Sequence, residues 1–132
     1  MPDRDVKILI IDDQPGIRQL LSEILKEEGY LIYNAINGMD GISKIEEVKP
    51  DVILLDMKMP GMDGIEVLGE LKQLHIKTKV IMMTAYGELD PINEARHLGA
   101  YGYVSKPFDV LNLCQTIRKV VAESMNEQLL IG

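Results

Sequence analysis

Five polar side chains stand close behind apolar runs in this sequence, and their types could do chemistry together. Asp12 and Asp13 follow residues 6–11, Asp56 follows 51–55, Thr84 follows 79–83, and Lys106 comes just after 101–104. Three carboxylates a few ångströms apart raise one another's pKa or recruit a cation. Oxygen ligands suit a hard ion such as Mg²⁺ (or Mn²⁺), which keeps part of its water shell and leaves room for a phosphoryl oxygen. The hydroxyl and the ammonium complete what phosphoryl transfer asks for, an in-line nucleophile among fixed positive charge and donors. In that arrangement Asp56 is the nucleophile that forms an acyl phosphate. Lys106 neutralises one phosphoryl oxygen and Thr84 donates to another.

These residues meet only if the elements carrying them end at a common edge. Residues 6–11 are a continuous apolar and β-branched run, the pattern of a strand buried on both faces, and Pro15 and Gly16 break it. Ile17, Leu20, Leu21, Ile24 and Leu25 then recur at helical spacing, and Gly29 supplies the stop. The alternation continues with strands at 30–36, 51–55, 79–83 and 101–104 and helices at 38–48 and 64–74. Asp90 and Pro91 have the residue types of an N-cap and first helical position for the next helix, which Gly99 closes. A last helix carries Leu111, Leu113, Ile117, Val120 and Val121 on its apolar side. Strands and helices in strict alternation predict an α/β, doubly wound parallel sheet. In the sheet order 2-1-3-4-5 the first and third strands adjoin at the switch point, which brings Asp12, Asp13 and Asp56 together.

A chain of 132 residues predicts one domain, taken as 1–124 with 125–132 as a tail. For that tail, extension of the last helix, packing on a neighbouring chain and the start of a linker all stay open. A net charge of −7 argues against direct nucleic-acid binding, which needs a concentrated basic face. Cys114 is the sole cysteine, which excludes an internal disulfide or a thiolate metal cluster and suits a reducing compartment. No signal-peptide pattern and no apolar run of membrane-spanning length is present, so the expected location is cytoplasmic.

Asp12-Asp13, Asp56, Thr84 and Lys106-Pro107, with the strings Leu-Leu-Asp-Met-Lys-Met-Pro-Gly-Met-Asp-Gly and Met-Thr-Ala-Tyr-Gly, resemble the response regulator receiver family. The resemblance spans about residues 5–122, and its strength lies in the order of the motifs, each at a strand end. It implies the flavodoxin-like (βα)5 fold of chemotaxis receivers and phosphoryl transfer to Asp56 from a histidine kinase or histidine phosphotransfer protein. It implies Mg²⁺ ligation by Asp13, Asp56 and the Lys58 backbone carbonyl, with Asp12 acting through water. Thr84 and Tyr103 resemble the family's switch pair, in which the hydroxyl moves toward the phosphoryl group as the ring turns inward. The Lys-Pro bond is commonly cis in the family.

Asp-Asp-Gln-Pro-Gly-Ile-Arg near the start and Tyr-Gly-Glu-Leu-Asp after the threonine are similar to the single-domain sporulation phosphorelay intermediates. In those relatives the first helix, here Gln14, Gly16, Ile17 and Leu20, docks the helix bundle that carries the histidine. Pro107 and Phe108 join that partner-binding set. Lys58, two residues beyond the phosphoacceptor, is placed to shield the acyl phosphate from water. The resemblance leaves a monomer and a phosphorylation-dependent dimer both open.

Each residue also has an ordinary structural use. Asp12 and Asp13 suit a helix cap, Thr84 a loop, Lys106 a solvated surface and Tyr103 a half-exposed strand. The joint placement at strand ends favours the chemical reading. His75 and His97 read as surface residues and Cys114 as a small buried hydrophobe. The methionines read as core fill, with Met57, Met59 and Met62 open to lining a partner-facing loop. Competing functions are the N-terminal receiver of a larger transcriptional regulator and, more remotely, an aspartyl-phosphate phosphatase, which would want an aspartate where Lys58 stands. A flavin site is disfavoured, because acidic residues follow the first strand where a phosphate loop would lie.

Overall fold

Lys7–Ile11, Leu31–Ala35, Val52–Asp56, Lys79–Ala85 and Gly102–Lys106 form strands β1 to β5, and Pro15–Glu27, Gly38–Val48, Gly64–Gln73, Leu89–His97 and Val110–Ile131 form helices α1 to α5. The computed structural model describes residues 5–85 and 89–131, with the backbone alone at 89–92 and 127–131. All strands pair in parallel, in the order β2-β1-β3-β4-β5. This is the doubly wound parallel sheet that the alternation of elements predicts, in the flavodoxin-like order that the resemblance implies.

The central strands are apolar throughout because both faces of the sheet are covered. Ile8, Ile10, Leu54 and Ile81 pack beneath α1 and α5. Their strand neighbours Leu9, Ile11, Ile53, Leu55 and Met82 point the other way and pack beneath α2, α3 and α4. Each such side chain contributes roughly 1.5–3 kcal/mol relative to exposure. A charge within these rows would forfeit that and carry its own desolvation cost, so charged groups appear only where the strands run out.

Local signals set the helix ends. Pro15 occupies the first turn of α1, so Pro15 and Gly16 open a helix as well as ending the strand region. The Asn37 side chain caps α2 by accepting the Asp40 N–H at 2.8 Å, and Asp63 with Glu66 forms a capping box on α3. Gly29 and Gly99, with φ of +96° and +97°, turn the chain just past α1 and α4 in a conformation that side chains disfavour.

Several boundaries differ from the expected ones. β3, β4 and β5 continue through Asp56, Ala85 and Lys106, so Asp56, Thr84 and Lys106 are rungs of the sheet rather than loop residues. Thr84 pairs with Ser105 in register, as a good strand former permits. Leu111 is 65% exposed and off the apolar side of α5. It precedes Leu113 by two residues, about 200° around the helix, whereas Leu113, Ile117 and Val120 share one buried stripe. Met57 and Met59 are buried in the core and Met62 packs partly against it, which makes them core fill rather than a partner-facing loop. Cys114 is buried and free. The helical backbone of α5 includes residues 125–131. The expected capping by Asp90 and the placement of Pro91 fall outside the described side chains. No described helix is long and apolar enough to cross a membrane.

Candidate functional site

Because the strands are parallel, β1, β3, β4 and β5 deliver their last residues to one edge of the sheet. Asp12, Asp13 and Asp56 each present a carboxylate oxygen there, and these atoms all lie within 4.8 Å of one another. Asp12 is fully buried, Asp56 is 5% exposed, and Asp13 is half-buried. Lys106 Nζ donates to Asp56 Oδ1 at 3.1 Å and to Asp12 Oδ2 at 3.2 Å. The other oxygen of Asp12 accepts the Gln14 N–H at 2.8 Å, so this residue both caps the approach to α1 and belongs to the acidic cluster.

Burial, and next the Asp12 charge, raise the Asp56 carboxyl above the ordinary carboxylate value, and the Lys106 ammonium and the Lys58 backbone N–H offset only part of that. Burial alone would lower the Lys106 ammonium, but the charges of Asp56 and Asp12 outweigh it and leave its pKa raised. The Lys106 ammonium thus pairs with two of the three clustered carboxylates, Asp12 and Asp56. Oxygen donors at this spacing can hold a divalent cation such as Mg²⁺.

Thr84 is 1% exposed, and its buried Oγ1 has no hydrogen-bond partner among the described residues. A buried hydroxyl left in this state costs stability, and a bound oxygen anion would satisfy it. The residues present therefore fit both a cation and an incoming anionic group.

Gly64 shapes the loop between Asp56 and α3. A Cβ at Gly64 would overlap the Asp56 carbonyl oxygen and lie 2.9 Å from Met57 Cα, while the Gly64 N–H donates to the Met57 carbonyl at 2.9 Å. Lys58 is exposed on this loop. Arg18 also serves the site, since its Nη1 donates to the Asp12 carbonyl at 2.7 Å and fixes the β1–α1 corner. The sequence carries no signal of that beyond an arginine one turn into a helix that follows the aspartates.

Tyr103 pairs with Met82, is 44% exposed, and lies with its ring 5.8 Å from the Arg96 guanidinium, at the surface rather than turned inward. The Lys106–Pro107 peptide is cis. Gln14, Gly16, Leu20 and Pro107 are exposed, while Ile17 and Phe108 are half-buried against the core under α1 and α5. Gln14 and Pro107 adjoin Asp13 and Lys106 in the chain.

A doubly wound parallel sheet with an acidic pocket and a lysine at its carboxyl edge defines the class of this protein. The family model described as the response regulator receiver domain matches residues 8–118, and the chain belongs to that family. It is 47% identical over 120 residues to sporulation initiation phosphotransferase F of Bacillus subtilis (strain 168), covering 91% of this chain and 97% of that protein. It is 37% identical over 124 residues to the regulatory protein AtoC of Escherichia coli (strain K12), covering 93% of this chain but 27% of that regulator. Among solved structures, a CheY-like response regulator receiver domain protein from Methanospirillum hungatei JF-1 superposes with a TM-score of 0.88 at 32% identity, covering 94% of this chain and 99% of that one. The Vibrio cholerae chemotaxis protein CheY4 does so with a TM-score of 0.83 at 32% identity, covering 89% and 99%. Receivers of this family interact with histidine kinases or phosphotransfer proteins.

Proposed function

We propose that Asp56 accepts a phosphoryl group from a phosphohistidine donor and passes the signal on in a phosphorelay or two-component system. One observation carries the reading: the carboxylate of Asp56 accepts from a lysine ammonium at 3.1 Å and clusters with two further carboxylates, and Thr84, on the adjoining strand β4, holds a buried hydroxyl with no partner among the described residues. An Asp56 oxygen forms the new O–P bond as the N–P bond of the donor breaks, and the electron pair of that bond returns to the imidazole nitrogen. Lys106 moves its charge from the carboxylate to a phosphoryl oxygen, and the Thr84 hydroxyl donates to another. Asp13, Asp56 and the Lys58 carbonyl, with Asp12 through water, would hold Mg²⁺ or Mn²⁺, which supplies further neutralisation of phosphoryl charge when bound. Tyr103 is the surface ring that reads the movement of Thr84.

Gln14, Gly16, Ile17, Leu20, Pro107 and Phe108 form the rim onto which the donor docks, and Lys58 shields the acyl phosphate from water. The receiver unit is 1–124, with 125–132 as a tail, acting in the cytoplasm as a monomer or a phosphorylation-dependent dimer. Incubation with a phosphorylated histidine phosphotransfer protein, or with acetyl phosphate and Mg²⁺, is expected to label the parent chain and not Asp56→Asn. Label retained by that variant would sink the assignment. The match to 27% of a longer regulator favours a second reading, an input unit of a transcriptional regulator, and the length of the native reading frame distinguishes the two.

A further inference from the structure

At the edge of the sheet opposite the acidic pocket, α3, α4 and the start of β4 enclose a groove of about 450 Å³. Half-buried Ile76 and Leu98 give it an apolar floor, and Leu68, Leu71 and Val80, only 2–3% exposed, belong to the core at its base. Its rim has one sign of charge. Lys72, His75, Lys77 and His97 are the titratable side chains that line it, and no aspartate or glutamate does so. The two histidines are surface residues, as their sequence positions suggested, but the fold brings them to one groove.

That concentration runs against a chain whose net charge is −7. Elsewhere, Lys44 pairs with Asp40, Lys106 with Asp12 and Asp56, and Arg118 with Glu28. Among the described residues no carboxylate pairs with any of the four groups on the rim. Cations in a last helical turn commonly balance the helix dipole, which would account for Lys72 and His97. The carbonyls at those ends are already engaged, however. Glu70, Leu71 and Lys72 accept from Leu74, Ile76 and His75, and Ala95 and Arg96 accept from Ala100 and Gly99. His75 and Lys77 lie beyond α3 altogether, and His75 holds a φ of +58°, a backbone region that non-glycine residues rarely adopt.

We propose that this groove binds an amphipathic carboxylate, with a hydrocarbon chain on the apolar floor and the anionic head between Lys72 and Lys77. The imidazoles of His75 and His97 add N–H donors, which the ring provides in either protonation state. The volume lies within the few hundred to about 1,000 Å³ usual for small-molecule sites. Charge complementarity selects the carboxylate over a neutral alcohol of the same length and rejects an ammonium amphiphile.

Octanoate titrated into the ¹⁵N-labelled full chain, with octanol and octylammonium as controls, tests the assignment without reference to phosphorylation. Saturable shifts confined to residues 68–80 and 97–99 are expected for octanoate. Lys72→Glu with Lys77→Glu should weaken its binding at least about tenfold, and Lys72→Arg with Lys77→Arg should retain it. Octanol binding as tightly as octanoate, shifts centred elsewhere, absence of saturation, or unchanged affinity in the folded Glu variant would each overturn the proposal. The comparison of octanoate with octanol needs no variant and holds even if the charge reversal disturbs the fold.

Discussion

The Lys106 ammonium lies 3.1 Å from Asp56 Oδ1 and 3.2 Å from Asp12 Oδ2, an ion pair shared between two buried carboxylates. Removing the ammonium leaves two buried carboxylates uncompensated. Lys106→Met is expected to lower the unfolding free energy in chelator by about 1–3 kcal/mol. Asp56→Asn should raise it, and the double variant should recover most of the lysine's loss. Urea unfolding of the four proteins forms the cycle; a Lys106→Met protein as stable as the parent would show that the ammonium is not the counter-ion.

The same crowding sets a pH dependence. Asp56 has a raised pKa, from burial first and the Asp12 charge second. A carboxyl whose folded pKa exceeds its unfolded value penalises folding above the folded pKa, and the penalty fades as pH falls through it toward the unfolded value. Asp40 has the opposite sign, because the Ile36 N–H bond lowers its pKa. Its contribution is present above the unfolded value and is lost as pH falls through the folded one. In chelator, the advantage of Asp56→Asn over the parent should therefore shrink as pH is lowered from neutrality toward the ordinary aspartate value of about 4, while the deficit of Asp40→Asn should close only around that value and below. Urea midpoints across that range check both, and an advantage that grows on acidification would reverse the first.

The carboxylates were legible because aliphatic strands covered on both faces cannot hold charge, so Asp12 and Asp56 mark where β1 and β3 run out. The wound topology followed from the alternation of those runs with amphipathic segments such as Ile17 to Leu25. Leu111 was misread by composition, although its phase relative to Leu113 and Ile117 excluded it. Other features arise from packing between elements distant in sequence and leave no local pattern. The contact of Gly64 with the Asp56 backbone, the bond from Arg18 to the Asp12 carbonyl, and the meeting of His75 with His97 are of that kind.

Gly64 offers a direct comparison with Gly69, since a Cβ at Gly69 meets nothing within 4 Å. Gly64→Ala must push backbone against backbone, so a loss of about 1–3 kcal/mol and slower phosphoryl acceptance are expected. Gly69→Ala, inside α3, should gain up to about 1 kcal/mol and leave acceptance unchanged. Thermal unfolding and labelling rates separate the two.

A divalent cation should relieve the repulsion that Lys106 leaves uncompensated. Mg²⁺ at about a hundred times its dissociation constant is expected to stabilise the fold by about 2.7 kcal/mol. Sodium at equal ionic strength should not reproduce this, and Asp13→Asn should abolish most of it. Thermal melts with and without Mg²⁺ decide the matter, and an undiminished response in Asp13→Asn would remove that residue from the ligand set.

Thr84 separates fold from function most sharply, because its buried Oγ1 has no hydrogen-bond partner among the described residues. Valine keeps the shape and omits the oxygen, so Thr84→Val should be neutral or more stable by up to about 1 kcal/mol without a phosphodonor. The same change should slow transfer from a phosphohistidine donor by about a hundredfold, the usual scale for losing one donor to a developing anionic oxygen. Thr84→Ser, which keeps the hydroxyl and loses a methyl, should do the reverse, with a stability loss of about 1 kcal/mol and near-parental transfer. Urea unfolding paired with initial labelling rates reads both quantities. If Thr84→Val lost stability and transfer together, the hydroxyl would be serving the fold, and its place in phosphoryl recognition would have to be given up.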